Sequence, residues 1–241
     1  MPNTGSSIIT TRPHISIITV VFNGESFLEK TILSVIRLKS SEVEFIIIDG
    51  GSEDRTVEII RKYHDKIAYW VSEPDKGIYD AFNKGWNAAR ADSYILYLGA
   101  GDEIISLPNN ITNDDQAIYG KVMMNNNSYF RSKVDFRLRL GNTIHHQALL
   151  IKKNLELQSP FDTKFRTYAD FDFTQRLLKR NIQFKFDETF IAYAMPGGVS
   201  QRFQFMESIL VVKKNFGIAM AILSCIYYLL QSFRNKLIHK T

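Results

Sequence analysis

Several carboxylates in this chain stand just past short apolar runs or beside them. Asp49 follows Phe45 to Ile48, Asp75 sits in the loop after Ile67 to Val71, and Asp102 and Glu103 follow Tyr94 to Leu98. Asp170 precedes an amphipathic stretch. Short apolar runs bounded by glycines and polar pairs read as strands buried on both faces. Ligands of open α/β sheets bind in the crevice outside the carboxyl ends of the strands, where carboxylates are placed to meet them. Oxygen ligands in such a place suit a hard cation, magnesium or manganese, and a positioned carboxylate can take a proton from a weakly nucleophilic hydroxyl.

The intervening segments supply the elements that position these groups. Ile15 to Phe22 is a β-branched run closing on Asn23-Gly24, and Glu29 to Leu38 has helical spacing with Leu28, Ile32, Val35 and Ile36 inward. After the Phe45 strand, Ser52 is the expected N-cap of a helix in which Val57, Ile59 and Ile60 can pack, with Glu53 and Asp54 favourable in its first turn. The stretch EPDKGIYDAFNKGWNAARADSYILYLGAGDE begins at Glu73 as a loop whose Asp75 can accept from first-turn amides. It continues as a helix burying Ile78, Ala81, Phe82, Gly85, Trp86 and Ala89, with Asp80, Asn83, Lys84 and Asn87 opposite, and ends as the Tyr94 strand. Alternating strands and helices imply a mostly parallel sheet with right-handed crossovers, so successive strand ends deliver Asn23, Asp49 and Asp75 to one edge.

Seven pieces, ITVVFNGESFLEKTILSV, IIIDGGSEDRT, EPDKGIYDAFNKG, YILYLGAGDE, HHQALLIKK, FRTYADFDFTQRL and GGVS, together resemble the family 2 glycosyltransferases in order, over residues 15 to 200. The resemblance implies the Rossmann-like GT-A fold and an inverting transfer of sugar from a nucleotide-diphosphate donor, with uridine the preferred base. It assigns Asn23, Glu25 and Asp49 to the base and ribose, and Asp75, Asp80 and Asn83 to the donor pocket, with Val21, Lys76 and Gly101 also on the donor side. By the same resemblance Asp102 holds the divalent metal (Mg2+ or Mn2+), Asp170 is the general base, His146 and Gln147 lie near the diphosphate or acceptor, and Gly198 and Ser200 belong to a closing loop.

Two positions depart from the family pattern. Many members carry two nearby aspartates where this chain has Gly101-Asp102-Glu103, and Ala169 replaces a usual glutamate before Asp170. Asp170 can also cap a helix Phe171 to Arg180, with Asp172 the structural carboxylate of the pair. His145 and His146 open a β-rich segment, Ala148 to Ile151, so they are expected on opposite faces.

The 241 residues divide into a polar leader (1–14), a catalytic domain (15–200, with donor half 15–103 and acceptor half 104–200) and a tail (201–241). Arg202, Lys213, Lys214, Arg234, Lys236 and Lys240 against Glu207 account for the whole net charge of +5. Between Asn215 and Phe233 the tail is uncharged, and as a helix it would extend ~28 Å, near the lower limit for spanning a bilayer. A stripe of Gly217, Ala221, Ser224, Tyr228 and Gln231 could pack on another helix or face an interface. The expectation is a helix lying in the cytoplasmic leaflet of the membrane, with a spanning helix as the rival.

That places the catalytic domain in the cytoplasm on the inner membrane face, with a lipid-linked saccharide of cell-surface polysaccharide synthesis as acceptor. Basicity confined to an apolar tail argues for lipid head groups over nucleic acid. A single cysteine, Cys225, excludes a disulfide framework. A dinucleotide oxidoreductase would need Gly-x-Gly-x-x-Gly after the first strand, where this chain has Phe22-Asn23-Gly24-Glu25. A non-catalytic nucleotide-sugar-binding module is the alternative reading.

Overall fold

All seven residues of β1 (Ile15–Val21) are buried, because the strand is covered on both faces. In the computed structural model, which describes residues 13–125, 128–155, 159–197 and 204–238, Ile18 and Val20 face one core and Ile17 and Val21 the other. This is the period-2 alternation of a strand between two layers. β2 (Val43–Asp49), β3 (Tyr69–Ser72) and β4 (Tyr94–Gly99) lie parallel to β1 in the order β3-β2-β1-β4. The register pairs Val21 with Asp49 and Val20 with Gly99, so the carboxyl ends finish level.

The crossovers are α1 (Leu28–Ile36), α2 (Thr56–Lys62) and α3 (Ile78–Ala88). α3 buries Ala81, Phe82, Gly85 and Trp86 against Ile18, Ile46 and Ile48, on the face that the spacing indicates, and adds Tyr79. α2 starts four residues beyond Ser52, which therefore does not cap it; Asp54 Oδ1 accepts from the Thr56 amide instead, at 2.9 Å.

The second half is less regular. β5 (Glu103–Ser106), β6 (Ala117–Met123), β7 (Tyr129–Arg131), β8 (Leu149–Lys152) and β9 (Phe184–Tyr193) extend the sheet to nine strands, in the order β4-β8-β6-β9-β5 with β7 beside β6. β8 runs antiparallel to both β4 and β6, while β6 and β9 are parallel with a register shift between Tyr119 and Lys121. Gly120 lies in that shift, where a Cβ would stand 2.1 Å from the Phe190 carbonyl oxygen. Only glycine allows so close an approach. β9 begins at Phe184 and runs ten residues to Tyr193.

Residues 146–148 form a short 3-10 turn rather than the start of a strand. His145 still diverges from its neighbour: its ring lies 4.4 Å from that of Phe130, while His146 turns toward α4 (Ala169–Lys179).

The tail is not a separate appendage. α5 (Phe205–Ile238) runs alongside α4 and is broken at Gly217, whose φ of 84° and ψ of 178° are non-helical. Its first segment joins the core through Val211 and Val212, and Asn215 donates to Asp172 at 3.0 Å and Gln175 at 3.1 Å. Packing against the rest of the chain continues through Asn215 and on to Ser224, which is fully buried.

Candidate functional site

At the carboxyl ends of β1 and β2 the two loops are laced together by short-range hydrogen bonds. The Asn23 amide donates to Ser52 Oγ at 2.7 Å and the Glu53 amide to Asn23 Oδ1 at 2.9 Å, with Asn23 at a φ of 49°. The Gly24 amide donates to Thr56 Oγ1 at 2.8 Å, and the Arg55 amide to Glu25 Oε2 at 3.1 Å. Asp49 is fully buried, accepting from the Gly51 and Ser52 amides and from the hydroxyls of Ser52 and Ser72. Its carboxylate thus organises the floor of the loop, beneath the more exposed Asn23 and Glu25. Val21 is core, against Gly24.

The loop before α3 is tied in the same way. Asp75 Oδ1 accepts from the Gly77 amide at 2.7 Å, and Asp80 Oδ2 from the Lys76 amide at 3.1 Å. The Lys76 side chain is exposed. The side-chain amide of Asn83 clamps Phe161, donating to that residue's carbonyl at 2.9 Å and accepting from its N–H at 3.0 Å. Both polar ends of the side chain are therefore engaged in joining the two halves.

The second carboxylate cluster lies where β4 meets the acceptor half. Asp102 is 6% exposed; Oδ1 accepts from the Met195 amide at 2.9 Å, and Oδ2 from the Gly99 amide at 2.9 Å and from Gln147 Nε2 at 3.1 Å. Burial raises its pKa above the ordinary carboxylate range, although the His146 charge and these donors pull the other way. Gly101, at a φ of 99°, lets the chain pass under Met195, whose Sδ would stand 2.1 Å from any Cβ there. Glu103 turns away to Arg37 at 3.2 Å.

One residue before Gln147, His146 Nδ1 lies 3.3 Å from Asp170 Oδ2. The Tyr79 hydroxyl donates to the Thr167 carbonyl at 2.6 Å and reaches Asp170 Oδ1 at 3.2 Å. Burial opposes charge on the His146 ring, but the hydrogen bond and charge of Asp170, with Asp102 behind, outweigh it and hold the His146 pKa above its usual value. The N-cap position of α4 is Tyr168, so Asp170 is not the cap; its Oδ1 accepts from the adjacent Phe171 amide at 2.8 Å. Asp172, fully buried, is the structural carboxylate, with Arg176 Nε at 2.8 Å and Lys214 Nζ at 2.9 Å.

Adjacent residues 146 and 147 therefore bracket two carboxylates, Asp170 and Asp102. Asp49 lies at the end of β2, which β1 separates from β4, and its hydrogen bonds run to Gly51, Ser52 and Ser72. Beside His146 and Asp170, Tyr97, Phe161 and Phe173 line a cavity of about 10 Å³, roughly one water in size. Tyr79 and Phe161 escape the sequence reading, and the link of Tyr79 to Asp170 spans 91 positions. Gly198 and Ser200, the expected closing loop, lie outside the described residues.

No group of three or more histidine, cysteine or acidic side chains that could hold a metal occurs among the described residues. Asp102 nevertheless offers the hard oxygen that magnesium or manganese takes, and one carboxylate suffices where phosphates and waters complete the shell. Gln147 Oε1, buried beside it, has no hydrogen-bond partner. A carboxylate and an unsatisfied amide oxygen side by side fit such a cation.

A half-sheet of parallel strands with polar loops at its carboxyl ends, continued by a mixed half-sheet, defines a GT-A-type α/β protein. Solved structures agree: TarS of S. aureus in complex with UDP (TM-score 0.60, 16% identity, covering 84% of this chain and 65% of that one) and the Pyrobaculum calidifontis mannosyltransferase in complex with GDP-Man and Mn2+ (TM-score 0.60, 14% identity, 88% and 65%) share the fold. The profile of Glycosyl transferase family 2 matches residues 16–106 of this chain.

Among curated relatives, an uncharacterized glycosyltransferase of Mycobacterium tuberculosis is 36% identical over 114 residues, 47% of this chain. That match covers 43% of the relative, so the chain spans less than half of its length. A PGL/p-HBAD biosynthesis glycosyltransferase of Mycobacterium bovis is 27% identical over 178 residues, 68% of this chain and 69% of the relative.

Proposed function

We propose that the protein is an inverting glycosyltransferase that takes sugar from a nucleotide-diphosphate donor, a UDP-sugar by preference, and passes it to a lipid-linked saccharide at the cytoplasmic membrane face, in cell-surface polysaccharide synthesis. The observation that carries this reading is the bracketing of Asp102 and Asp170 by consecutive residues, which sets a cation-binding carboxylate beside a proton-accepting one. Asn23, Glu25, Asp49, Asp75 and Asp80 frame the donor loops. Asp102 and Gln147 would hold a magnesium or manganese ion, which would supply charge to stabilise the departing diphosphate.

Asp170 removes the proton from the acceptor hydroxyl as that oxygen bonds to the anomeric carbon, and the bond to the diphosphate breaks on the opposite face. Configuration inverts in that single displacement. Tyr79 and His146 fix the Asp170 carboxylate from two sides, so its orientation is set before the acceptor arrives. The Mycobacterium bovis relative, a PGL/p-HBAD biosynthesis glycosyltransferase, supports the reaction class.

A panel of nucleotide sugars, each with and without Mn2+, tests the donor assignment by thermal stabilisation. Ligand at about 100 times its dissociation constant adds ~2.7 kcal/mol to stability. A metal-dependent shift with UDP-sugars is expected, and no shift with any donor would contradict the reading.

A further inference from the structure

The part of α5 beyond Gly217 is inside out relative to an ordinary surface helix. Ala221 and Ser224 turn inward, and Ser224 donates to the Leu140 carbonyl at 2.5 Å. The Tyr228 hydroxyl meets Ser208 Oγ at 2.7 Å, and Gly141 leaves room for the Tyr228 ring, whose oxygen would stand 2.7 Å from a Cβ there. Ala221, Ser224 and Tyr228 of the small-and-polar stripe are thus the docked side, while Gly217 and Gln231 at its ends are exposed. The outward side carries Ile218, Ile222, Ile226, Leu229, Leu230 and Phe233, between 48% and 68% exposed. A contiguous apolar surface of this kind marks an interaction site.

Charge around this face selects its occupant. Arg139 and Lys213 are exposed near the Gly217 end, and Arg139 lies 5.6 Å from the Phe216 ring; Arg234 is exposed at the far end. The one acid of the tail, Glu207, is turned inward, accepting from the amides of Thr167 at 2.7 Å and Tyr168 at 2.8 Å. The rim facing solvent is left positive. In a two-fold dimer the same cations would meet their own copies, an unfavourable juxtaposition, whereas anionic head groups would neutralise them.

We infer that residues 218–234 form a membrane-docking face that lies flat on an anionic bilayer, apolar side down, while the helix stays fastened to the domain at Leu140 and Ser208. This deepens the membrane reading above by choosing between a lying and a spanning helix. A spanning helix would have to leave both fastenings and bury Ser224 and Tyr228 in hydrocarbon without partners.

The test is flotation of the full chain, without donor or acceptor, on vesicles of phosphatidylcholine alone or with phosphatidylglycerol. Strong binding to the anionic vesicles is expected, falling at least tenfold in Ile226→Glu/Leu230→Glu, with far-UV circular dichroism and donor-induced thermal stabilisation unchanged. Because binding is read without donor, its failure is distinct from failure of the transferase assignment. A chain that ignores vesicles but dimerises, the dimer dissolving in the same double variant, would overturn the proposal in favour of a second copy. Orientation is read with Gln231→Cys in a Cys225→Ser background. An impermeant maleimide added outside should label the vesicle-bound protein, and full protection would mean that the helix spans.

Discussion

The parallel and mixed halves of this molecule's sheet are held together by different kinds of bond. Around Asn23, Asp49 and Asp75 the ties run between loops of adjacent parallel strands, mostly backbone amides meeting nearby side chains. Around Asp102 and Asp170 they cross long stretches of chain: Tyr79 to Asp170, Asp102 to the Met195 amide, and Glu207 to Thr167. The loops around Asn23, Asp49 and Asp75 can thus form on local rules, whereas the corner around Asp102 and Asp170 exists only when both halves and the first segment of α5 are assembled. Loss of assembly should therefore cost the acceptor side first.

The largest effect expected from breaking that contrast comes from Asp172→Ala. It strands Arg176 and part of the Lys214 charge at the α4–α5 seam, at a cost of about 3 kcal/mol by analogy with broken buried pairs. Urea unfolding measures it, and a loss below ~0.5 kcal/mol, the level of an ordinary surface change, would mean that this network does not hold the acceptor half. Asn83→Ala comes next, at about 1–2 kcal/mol for two hydrogen bonds to Phe161. Donor-induced stabilisation should be unchanged in that variant, and its disappearance would return Asn83 to the donor pocket.

The smallest expected effect is one of pH. His146 has a folded pKa raised above its unfolded value, so its pairing with Asp170 stabilises the fold fully below the unfolded pKa of ~6.5 and loses that contribution as pH rises through the folded pKa. Unfolding of the wild type and His146→Gln, in the absence of donor and metal, should therefore differ more at about pH 5.5 than at about pH 8.5. An equal gap at both pH values would remove the ion pair from the description of the site.

The same contrast explains what could be read from the sequence. β1, β2, β4 and α3 announce themselves through period-2 and 3.6-residue patterns, and the rule of the carboxyl strand edge then places Asn23, Asp49, Asp75 and Asp102. Ser52 misleads because a good N-capping residue is taken instead by the Asp49 carboxylate and the Asn23 amide, which delays the helix to Thr56. The clamp of Asn83 on Phe161 is not visible in the sequence, because a polar helix position carries no record of a partner 78 positions away. In the tail, the small-and-polar stripe is visible in the residues, but its direction depends on Leu140, Gly141 and Ser208, none of which is periodic with it. Local chemistry is legible; which distant backbone group satisfies it is not.

The most direct trial of the central assignment is Asp170→Asn, assayed for release of free nucleotide diphosphate from a UDP-sugar with Mn2+ and for donor binding by thermal shift. General-base catalysis is worth roughly 10²–10⁴-fold, so turnover should fall by that factor while the donor-induced shift persists. Turnover within about twofold of wild type, a change too small for loss of a general base, would contradict the assignment of Asp170 as the group that activates the acceptor.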